Sequence, residues 1–297
     1  MTDIKLTNLR TLLQSYGSSL VAYSGGVDSV FLAFITNAVL PGRTVAVIAD
    51  SPSLPRRELR EALEIARRFQ FPVRVVKTSE LSNTSYTSNP LNRCYFCKNE
   101  LFSELIPLAT ELGLAVITYG ENATDIGDFR PGAQAAGEFN IRAPLKEVGL
   151  TKAEIRTLSA QFGLPTADKP QMACLSSRIP HGEPVTEQKL LMIEDAEAFL
   201  SGLGFFDIRV RHHELTGVAS APATTPPAHL NNLAAPLPRP ALARIEVGVT
   251  ELPRLLEATT AARIAEELKR IGYSHVTLDL QGYRRGGADD HAPPPIA

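Results

Sequence analysis

The chain of 297 residues has no tryptophan, only three cysteines and no glycine–lysine pair. Three cysteines leave one thiol over if two of them pair, so a disulfide framework is not expected and the thiols are expected to do chemistry. A net charge of −2 lacks the basic footprint of proteins that bind nucleic acid electrostatically. No apolar stretch approaches the roughly 18 residues of a membrane-spanning helix, and the first residues do not resemble a signal peptide. These absences predict a cytoplasmic protein that acts on small molecules.

Short apolar runs rich in β-branched residues lie at 20–23, 45–49, 73–76 and 115–118. Segments of helical periodicity fill the intervals between them. This alternation predicts an α/β fold with an N-terminal doubly wound parallel sheet over residues 1–184. A smaller C-terminal α/β domain is expected over residues 185–285, with helices at 187–203 and 252–271 and strands at 206–211, 244–247 and 276–280. Residues 214–240 are rich in Ala, Pro and Thr and predict a flexible insertion, and residues 286–297 predict a frayed tail.

The first apolar run leads directly into Ser24-Gly25-Gly26-Val27-Asp28-Ser29 and then into an apolar helix. Backbone N–H groups of a glycine-rich turn at a helix N-terminus bind phosphate, two serine hydroxyls add donors, and Asp28 offers a magnesium ligand. The absence of a glycine–lysine pair excludes a Walker loop. The hexapeptide instead resembles the PP-loop of ATP pyrophosphatases, which hold the departing pyrophosphate and leave AMP on an acceptor.

The carboxyl ends of neighbouring parallel strands meet at one edge of the sheet, where ligands of doubly wound folds bind. We therefore expect nucleotide contacts from Asp50 and Ser51 after the second strand, and from Gly120 and Asp125 after the fourth. Asp125 and Asp128 also have an ordinary explanation, because Asp favours turns without any ligand.

Cys94 and Cys97 form a Cys-x-x-Cys motif, and Cys174 lies far away in a polar stretch with Ser176, Ser177 and Arg178. Three thiols with one open position suit an iron–sulfur cluster, a zinc site could add His181, and buried cysteines can also serve as plain core residues. Arg178 would favour the thiolate form of Cys174, which is a nucleophile. A PP-loop together with such a cysteine indicates adenylation followed by sulfur chemistry.

Several segments together resemble the LarE family, the ATP-dependent sulfur transferases that build the nickel-pincer nucleotide of lactate racemase. The resemblance is carried in register by residues 24–29, 128–132, 142–145, 172–178 and 277–284. It implies ATP, Mg²⁺ near Asp28, and a pyridinium biscarboxylic acid mononucleotide whose carboxylate is adenylated and converted to a thiocarboxylate, with pyrophosphate and AMP released.

The resemblance implies two sulfur sources. In single-cysteine members the cysteine at the position of Cys174 gives up its sulfur and becomes dehydroalanine. Members with three cysteines resemble cluster proteins, in which Cys94, Cys97 and Cys174 would ligate a 4Fe-4S cluster whose bound sulfide is delivered and later renewed from a sulfide source. We favour the cluster here, because it uses all three cysteines of the chain.

Basic strand residues of the second domain complete the predicted site. The resemblance implies that Arg209 and Arg211 bind the phosphate of the substrate near a subunit contact, with Arg178 and Glu246 beside them, and that the protein is a homo-oligomer. The arginines have an ordinary explanation as exposed strand charges. Other functions share parts of the pattern: a PP-loop amide ligase resembling NAD synthetase, a tRNA thiolase, which the charge disfavours, and a non-catalytic iron–sulfur or nucleotide-binding module.

Overall fold

Two groups of residues pack separately along this chain. The computed structural model describes residues 2–125, 131–170, 173–215 and 239–283. It divides into one unit of Met1–Tyr86 with Asn92–Met172 and a second of Thr87–Leu91 with Ala173–Ala297. The division falls before residue 173 rather than after 184, because the Asn89 side chain donates to the carbonyls of Ile179 and Pro180 and ties that segment to 87–91. The expected tail at 286–297 and most of the expected insertion lie outside the described residues.

The first unit is built on a four-stranded parallel sheet of order β3-β2-β1-β4. Its strands are β1 Ser19–Ala22, β2 Thr44–Asp50, β3 Val73–Lys77 and β4 Val116–Tyr119. The helices along this part of the chain are α1 Thr2–Tyr16, α2 Val27–Val39, α3 Arg56–Arg68, α4 Thr84–Thr87, α5 Arg93–Glu111, α6 Pro131–Glu138, α7 Pro144–Glu147 and α8 Lys152–Gln161.

Alternate residues of the central strands enter two different cores, as a sheet covered on both faces requires. Val21 and Ile48 pack in a core with α1, α2, α3 and α8, whereas Leu20 and Val47 pack in a second core with α5 and α6. All four side chains are buried. This two-sided burial is the reason for the uninterrupted apolar strand sequences, and it confirms the predicted doubly wound α/β fold.

The second unit contains a smaller mixed sheet of order β5-β6-β7, in which β5 and β6 are antiparallel and β6 and β7 are parallel. Its strands are β5 Arg209–Glu214, β6 Ala241–Glu246 and β7 His275–Leu278, and its helices are α9 Glu187–Gly202, α10 Leu252–Leu255 and α11 Ala258–Ile271. The helix predicted over 252–271 is therefore two helices, because the backbone of Glu257, with φ of −59° and ψ of 128°, is not helical before α11.

Predicted helix starts agree with the caps in the structure. Thr151 accepts from the Glu154 N–H while Glu154 accepts from the Thr151 N–H, which is the predicted capping box at α8. Thr186 caps α9 through the N–H of Lys189. Within the described part of the chain, no helix combines the length and apolar character needed to cross a membrane.

Candidate functional site

The hexapeptide at 24–29 forms the turn between β1 and α2. Gly26 is the N-cap of α2 in an extended conformation, and no side chain among the described residues caps the helix there. The first N–H groups of an α-helix have no partners within the helix, and the helix dipole gives this end a partial positive charge. The turn therefore presents N–H groups suited to an anion such as pyrophosphate.

The two serines of the loop hold each other. Ser29 Oγ accepts from the Ser24 N–H at 3.1 Å and donates to the Gly26 carbonyl at 3.2 Å, and the Ser24 and Ser29 hydroxyls lie 3.0 Å apart. These bonds hold Ser24, Ser29 and the Gly26 carbonyl together but do not engage the Gly25–Gly26 peptide. The hydroxyls stand beside the N–H groups that would bind the anion.

Two glycines allow the close approaches on which the loop depends. Gly25 has a φ of 72°, and a Cβ there would lie 2.7 Å from the Cβ of Ala62 in α3. At Gly120, after β4, a Cβ would lie 2.9 Å from the backbone nitrogen of Ser29. Both distances are shorter than any real Cβ contact, so only glycine fits either position. Gly120 therefore lies beside the loop, at the edge where it was expected.

Asp28 lies in the first turn of α2, and one of its carboxylate oxygens, Oδ1, could accept a further ligand. Oδ2 accepts from Lys152 Nζ at 2.6 Å, while the buried Oδ1 has no hydrogen-bond partner among the described residues. Burial raises the pKa of Asp28, and the charge and hydrogen bond of Lys152 oppose this rise. The negative charge of Asp125 adds to the rise in pKa, and the nearby Asn122 side chain, which forms no hydrogen bond with Oδ1, opposes it. An unpartnered carboxylate oxygen beside an anion cradle fits the ligand chemistry of Mg²⁺.

The other nucleotide-binding candidates at this edge are engaged in local hydrogen bonds. Asp125 Oδ2 accepts from the N–H of Asn122 at 3.2 Å and from its side-chain amide at 3.0 Å, which is the turn chemistry that Asp favours. Asp50 pairs with Arg56, and Ser51 donates to the buried Glu80. Asp128 lies outside the described residues.

Two lysines at the loop were missed by the sequence reasoning. Lys152 pairs with Asp28, and Lys169 Nζ lies 2.6 Å from Glu58 Oε2, 3.1 Å from Glu61 Oε2 and 3.5 Å from the Gly25 carbonyl oxygen. The partners are more than 100 residues apart in sequence, so no local pattern marks them. The capping box at Thr151 predicts where α8 begins, but it does not predict that Lys152 pairs with Asp28.

Cys94 and Cys97 belong to the first unit, and Cys174 belongs to the second. Cys94 and Cys97 lie one turn apart near the start of α5, where Cys94 is exposed and Cys97 is half-buried. Residues three apart share a helix face, so the two thiols emerge on the same side of α5. No group of three or more His, Cys, Asp or Glu that could hold a metal ion is found in the part of the chain that the structure describes, and the three-cysteine ligand set stays a prediction.

Arg178 holds the Cys174 loop by its backbone. Its Nη1 donates to the carbonyls of Ala173 and Cys174 at 2.8 and 2.9 Å, while Nε and Nη2 form a bidentate pair with Glu197. The Arg178 side chain is only 3% exposed. Ser177 adds a bond from its hydroxyl to the Cys174 carbonyl at 2.7 Å. The half-buried Cys174 therefore sits at a fixed position at the start of the 3₁₀ turn Leu175–Arg178.

Arg211 and Glu246 form a second buried bidentate pair. Arg211 Nε and Nη2 donate to the two Glu246 oxygens at 3.0 and 2.8 Å, and Nη1 donates to the Ser177 carbonyl at 2.9 Å. Arg209 is buried too, with its guanidinium 4.6 Å from the centre of the Tyr283 ring. Burial and the neighbouring Arg178 charge lower the pKa of Arg209. These are interior side chains rather than the exposed strand charges of the ordinary explanation.

A parallel sheet of this order, with a serine and glycine loop between its first strand and helix, is consistent with the class of PP-loop ATP pyrophosphatases. The chain is 38% identical over 286 residues to the uncharacterized protein slr1717 of Synechocystis, covering 96% of this chain and 97% of that protein. It belongs to the same family as that protein, the PP-loop ATP pyrophosphatases related to LarE.

Two more distant relatives have assigned activities. Pyridinium-3,5-bisthiocarboxylic acid mononucleotide synthase of Lactiplantibacillus plantarum is 29% identical over 271 residues, which are 91% of this chain and 88% of that protein. The tRNA-specific 2-thiouridylase MnmA of Xanthobacter autotrophicus is 29% identical over 219 residues, which are 60% of this chain and 55% of that protein. The chain matches no protein-family model.

Proposed function

We propose that this protein is an ATP-dependent sulfur transferase that converts a carboxylate of a pyridinium biscarboxylic acid mononucleotide to a thiocarboxylate. The observation that carries the proposal is the anion loop at 24–29 with the unpartnered Oδ1 of Asp28 beside it. The 29% identity to a synthase of this kind over most of both chains supports the choice of substrate. The tRNA-modifying relative, whose activity is also a thiolation, supports sulfur transfer as the reaction type.

In the adenylation step, a substrate carboxylate oxygen attacks the α-phosphorus of ATP and pyrophosphate leaves. The N–H groups of the loop and the hydroxyls of Ser24 and Ser29 would hold the leaving pyrophosphate. Asp28 would hold Mg²⁺ through Oδ1, and the metal would neutralise charge on the phosphates. Lys152 would balance the charge of Asp28. Asp50, Ser51, Gly120 and Asp125 would line the rest of the nucleotide site.

In the sulfur step, two routes share the same acyl adenylate. Cys94, Cys97 and Cys174 would hold a 4Fe-4S cluster, and the cluster would supply sulfide-level sulfur for the acyl carbon, from which AMP departs. In the alternative, the Cys174 thiolate displaces AMP and forms a thioester. The α-proton of Cys174 and its Cβ–S bond are then lost, which leaves the thiocarboxylate on the substrate and dehydroalanine in the chain. The paired thiols on one face of α5 favour the cluster route, because the second route gives them no role.

The arginines of the second unit divide into two roles in this proposal. Arg178 and Arg211 use their guanidinium groups on Glu197 and Glu246 and on backbone carbonyls, so they position the Cys174 loop. Arg209 lies beside the Arg178 charge with its guanidinium 4.6 Å from the centre of the Tyr283 ring, and this cluster of positive charge is assigned to the substrate phosphate. A homo-oligomer is part of the proposal and is tested by the mass of the protein in solution.

The test separates adenylation from sulfur transfer. Protein purified without oxygen is assayed for iron, acid-labile sulfide, pyrophosphate release and thiocarboxylate product, beside Cys94→Ser and Cys174→Ser variants. We expect about four irons per chain, lost in Cys94→Ser. Pyrophosphate release should persist in Cys174→Ser while the product disappears, because the adenylation loop does not use that thiol.

Each other outcome points elsewhere. Protein without iron after anaerobic reconstitution, together with dehydroalanine at Cys174 after turnover, would replace the cluster with the sacrificial route. Formation of an amide from ammonia in place of the thiocarboxylate, undiminished in Cys174→Ser, would favour an amide ligase. A protein that releases no pyrophosphate from ATP with Mg²⁺ and substrate would be a binding module.

A further inference from the structure

Lys169 contacts the backbone of the anion loop from the side of α3. Its Nζ lies 3.5 Å from the Gly25 carbonyl oxygen and is anchored by Glu58 at 2.6 Å and Glu61 at 3.1 Å. The Lys169 side chain is 13% exposed and that of Glu58 is 4% exposed. Arg156 in α8 holds the backbone behind it by donating to the carbonyl of Lys169 at 2.7 Å. The ammonium group is therefore held in place independently of the loop.

The charge of Lys169 affects the orientation of the planar peptide between Gly25 and Gly26. In a trans peptide the carbonyl oxygen and the following N–H point in opposite directions. A cation near the Gly25 oxygen therefore favours the orientation in which the Gly26 N–H points away from Lys169. Glycine on both sides of the peptide makes its rotation cheap, since neither residue has a Cβ to resist it. An external contact is needed to keep one orientation.

The face of α3 that contacts Gly25 is also the face that binds Lys169. Glu58 and Ala62 are four residues apart and so lie on one face of the helix. Ala62 is the residue that Gly25 approaches most closely, and Glu58 is the residue that holds Lys169. The Gly25 carbonyl thus faces a lysine whose charge is balanced by two carboxylates. No acceptor among the described residues takes the Gly26 N–H, which is left for a ligand.

We propose that Lys169 is a positioning residue for the anion site, which acts by fixing the Gly25–Gly26 peptide with its N–H directed at the pyrophosphate group. The ligand assignment rests on the proposed function, whereas the peptide orientation does not. Lys169 also precedes Cys174 by five residues in sequence, so one short segment carries both groups.

The experiment measures pyrophosphate and adenosine binding separately by calorimetry with the full chain in Mg²⁺ buffer. We expect Lys169→Met to weaken pyrophosphate binding about tenfold, as for the loss of one charge-assisted contact, and to leave adenosine binding unchanged. The Gly26 amide resonance should shift in Lys169→Met and return toward its original position in Lys169→Arg. Lys5→Met is the matched control, because Lys5 also bridges a glutamate and a glycine carbonyl, at Glu154 and Gly149.

A double variant guards against misfolding. Lys169→Met leaves the buried Glu58 short of a partner, so Lys169→Met with Glu58→Gln removes both charges and should show the same selective loss. Unchanged pyrophosphate affinity with an unmoved Gly26 resonance would overturn the inference, as would equal losses for pyrophosphate and adenosine. If the unaltered protein binds no pyrophosphate, the proposed function fails, and the Gly26 resonance alone then decides whether Lys169 orients the peptide.

Discussion

Replacing Gly25 with alanine tests whether the anion loop is shaped by its contact with α3. The new Cβ would stand 2.7 Å from the Cβ of Ala62 and would occupy a left-handed conformation with φ of 72°. The backbone strain costs about 1–2 kcal/mol. Overpacking against a helix costs about 1–3 kcal/mol more, because Ala62 is fully buried and the neighbouring helix must move. Gly25→Ala should therefore destabilise the fold by about 2–5 kcal/mol.

Gly17 supplies the matched control. It has almost the same φ, 71°, but no atom among the described residues lies within 4 Å of the position that a Cβ would take. Gly17→Ala should thus cost only the backbone strain of about 1–2 kcal/mol. Adding Ala62→Gly to Gly25→Ala removes the overlap, and the double variant should be more stable than the sum of the single effects by about 1–3 kcal/mol.

The assay is urea unfolding of the four variants and the unaltered chain, with pyrophosphate release measured on each. Gly25→Ala should also lose pyrophosphate release, since displacing the loop moves the N–H groups that would hold the leaving group. Equal destabilisation by Gly25→Ala and Gly17→Ala, or strict additivity of Gly25→Ala with Ala62→Gly, would refute the reasoning that this contact determines the loop.

Two further predictions concern the second unit. Burial lowers the pKa of His212 to about 3. Between about pH 6.5 and about pH 3 the unfolded chain therefore binds a proton at this residue that the folded chain does not bind. The free energy of unfolding should fall as pH falls from about 6.5 toward about 3. His212→Phe should reduce this loss in urea midpoints at pH about 7.5 and about 5, and an unchanged slope would contradict it. Arg211→Met removes the bidentate partner of the buried Glu246 but leaves Arg244 Nη2 at 3.1 Å from Glu246 Oε1, so it should cost about 1.5–3 kcal/mol rather than the full cost of an uncompensated charge. Adding Glu246→Leu should recover part of that loss, whereas a double variant less stable than Arg211→Met would contradict the account.

The two central strands of the first unit could be predicted because the sheet is buried on both faces there. Residues 20–23 and 45–49 were expected as strands, and β1 and β2 lie at Ser19–Ala22 and Thr44–Asp50. The prediction was weaker in the second unit. The strand expected at 206–211 lies at Arg209–Glu214, because Phe206 is exposed while the polar Arg211 and His212 are buried. The polar residues Arg211 and His212 did not predict a buried strand, because their burial depends on the ion pair with Glu246 and on the ring contact with Tyr273.

The candidate site divides in the same way. The loop at 24–29 and the placement of Gly120 beside it follow from local sequence and from the rule that parallel strands end at one edge. The lysines at the loop do not follow from sequence, because Lys152 and Lys169 meet partners more than 100 residues away. The same holds for Arg178, whose backbone contacts hold the Cys174 loop.

The position of the serine and glycine loop at 24–29, the alternation of strands and helices, and the two capped helix starts could all be predicted from local sequence. Each of these depends on residues within one turn or one strand of each other, where backbone geometry and side-chain periodicity act directly. Only the tertiary structure decided which charges are buried together. Desolvation and ion pairing depend on distances between elements, and the folded chain alone fixes those distances.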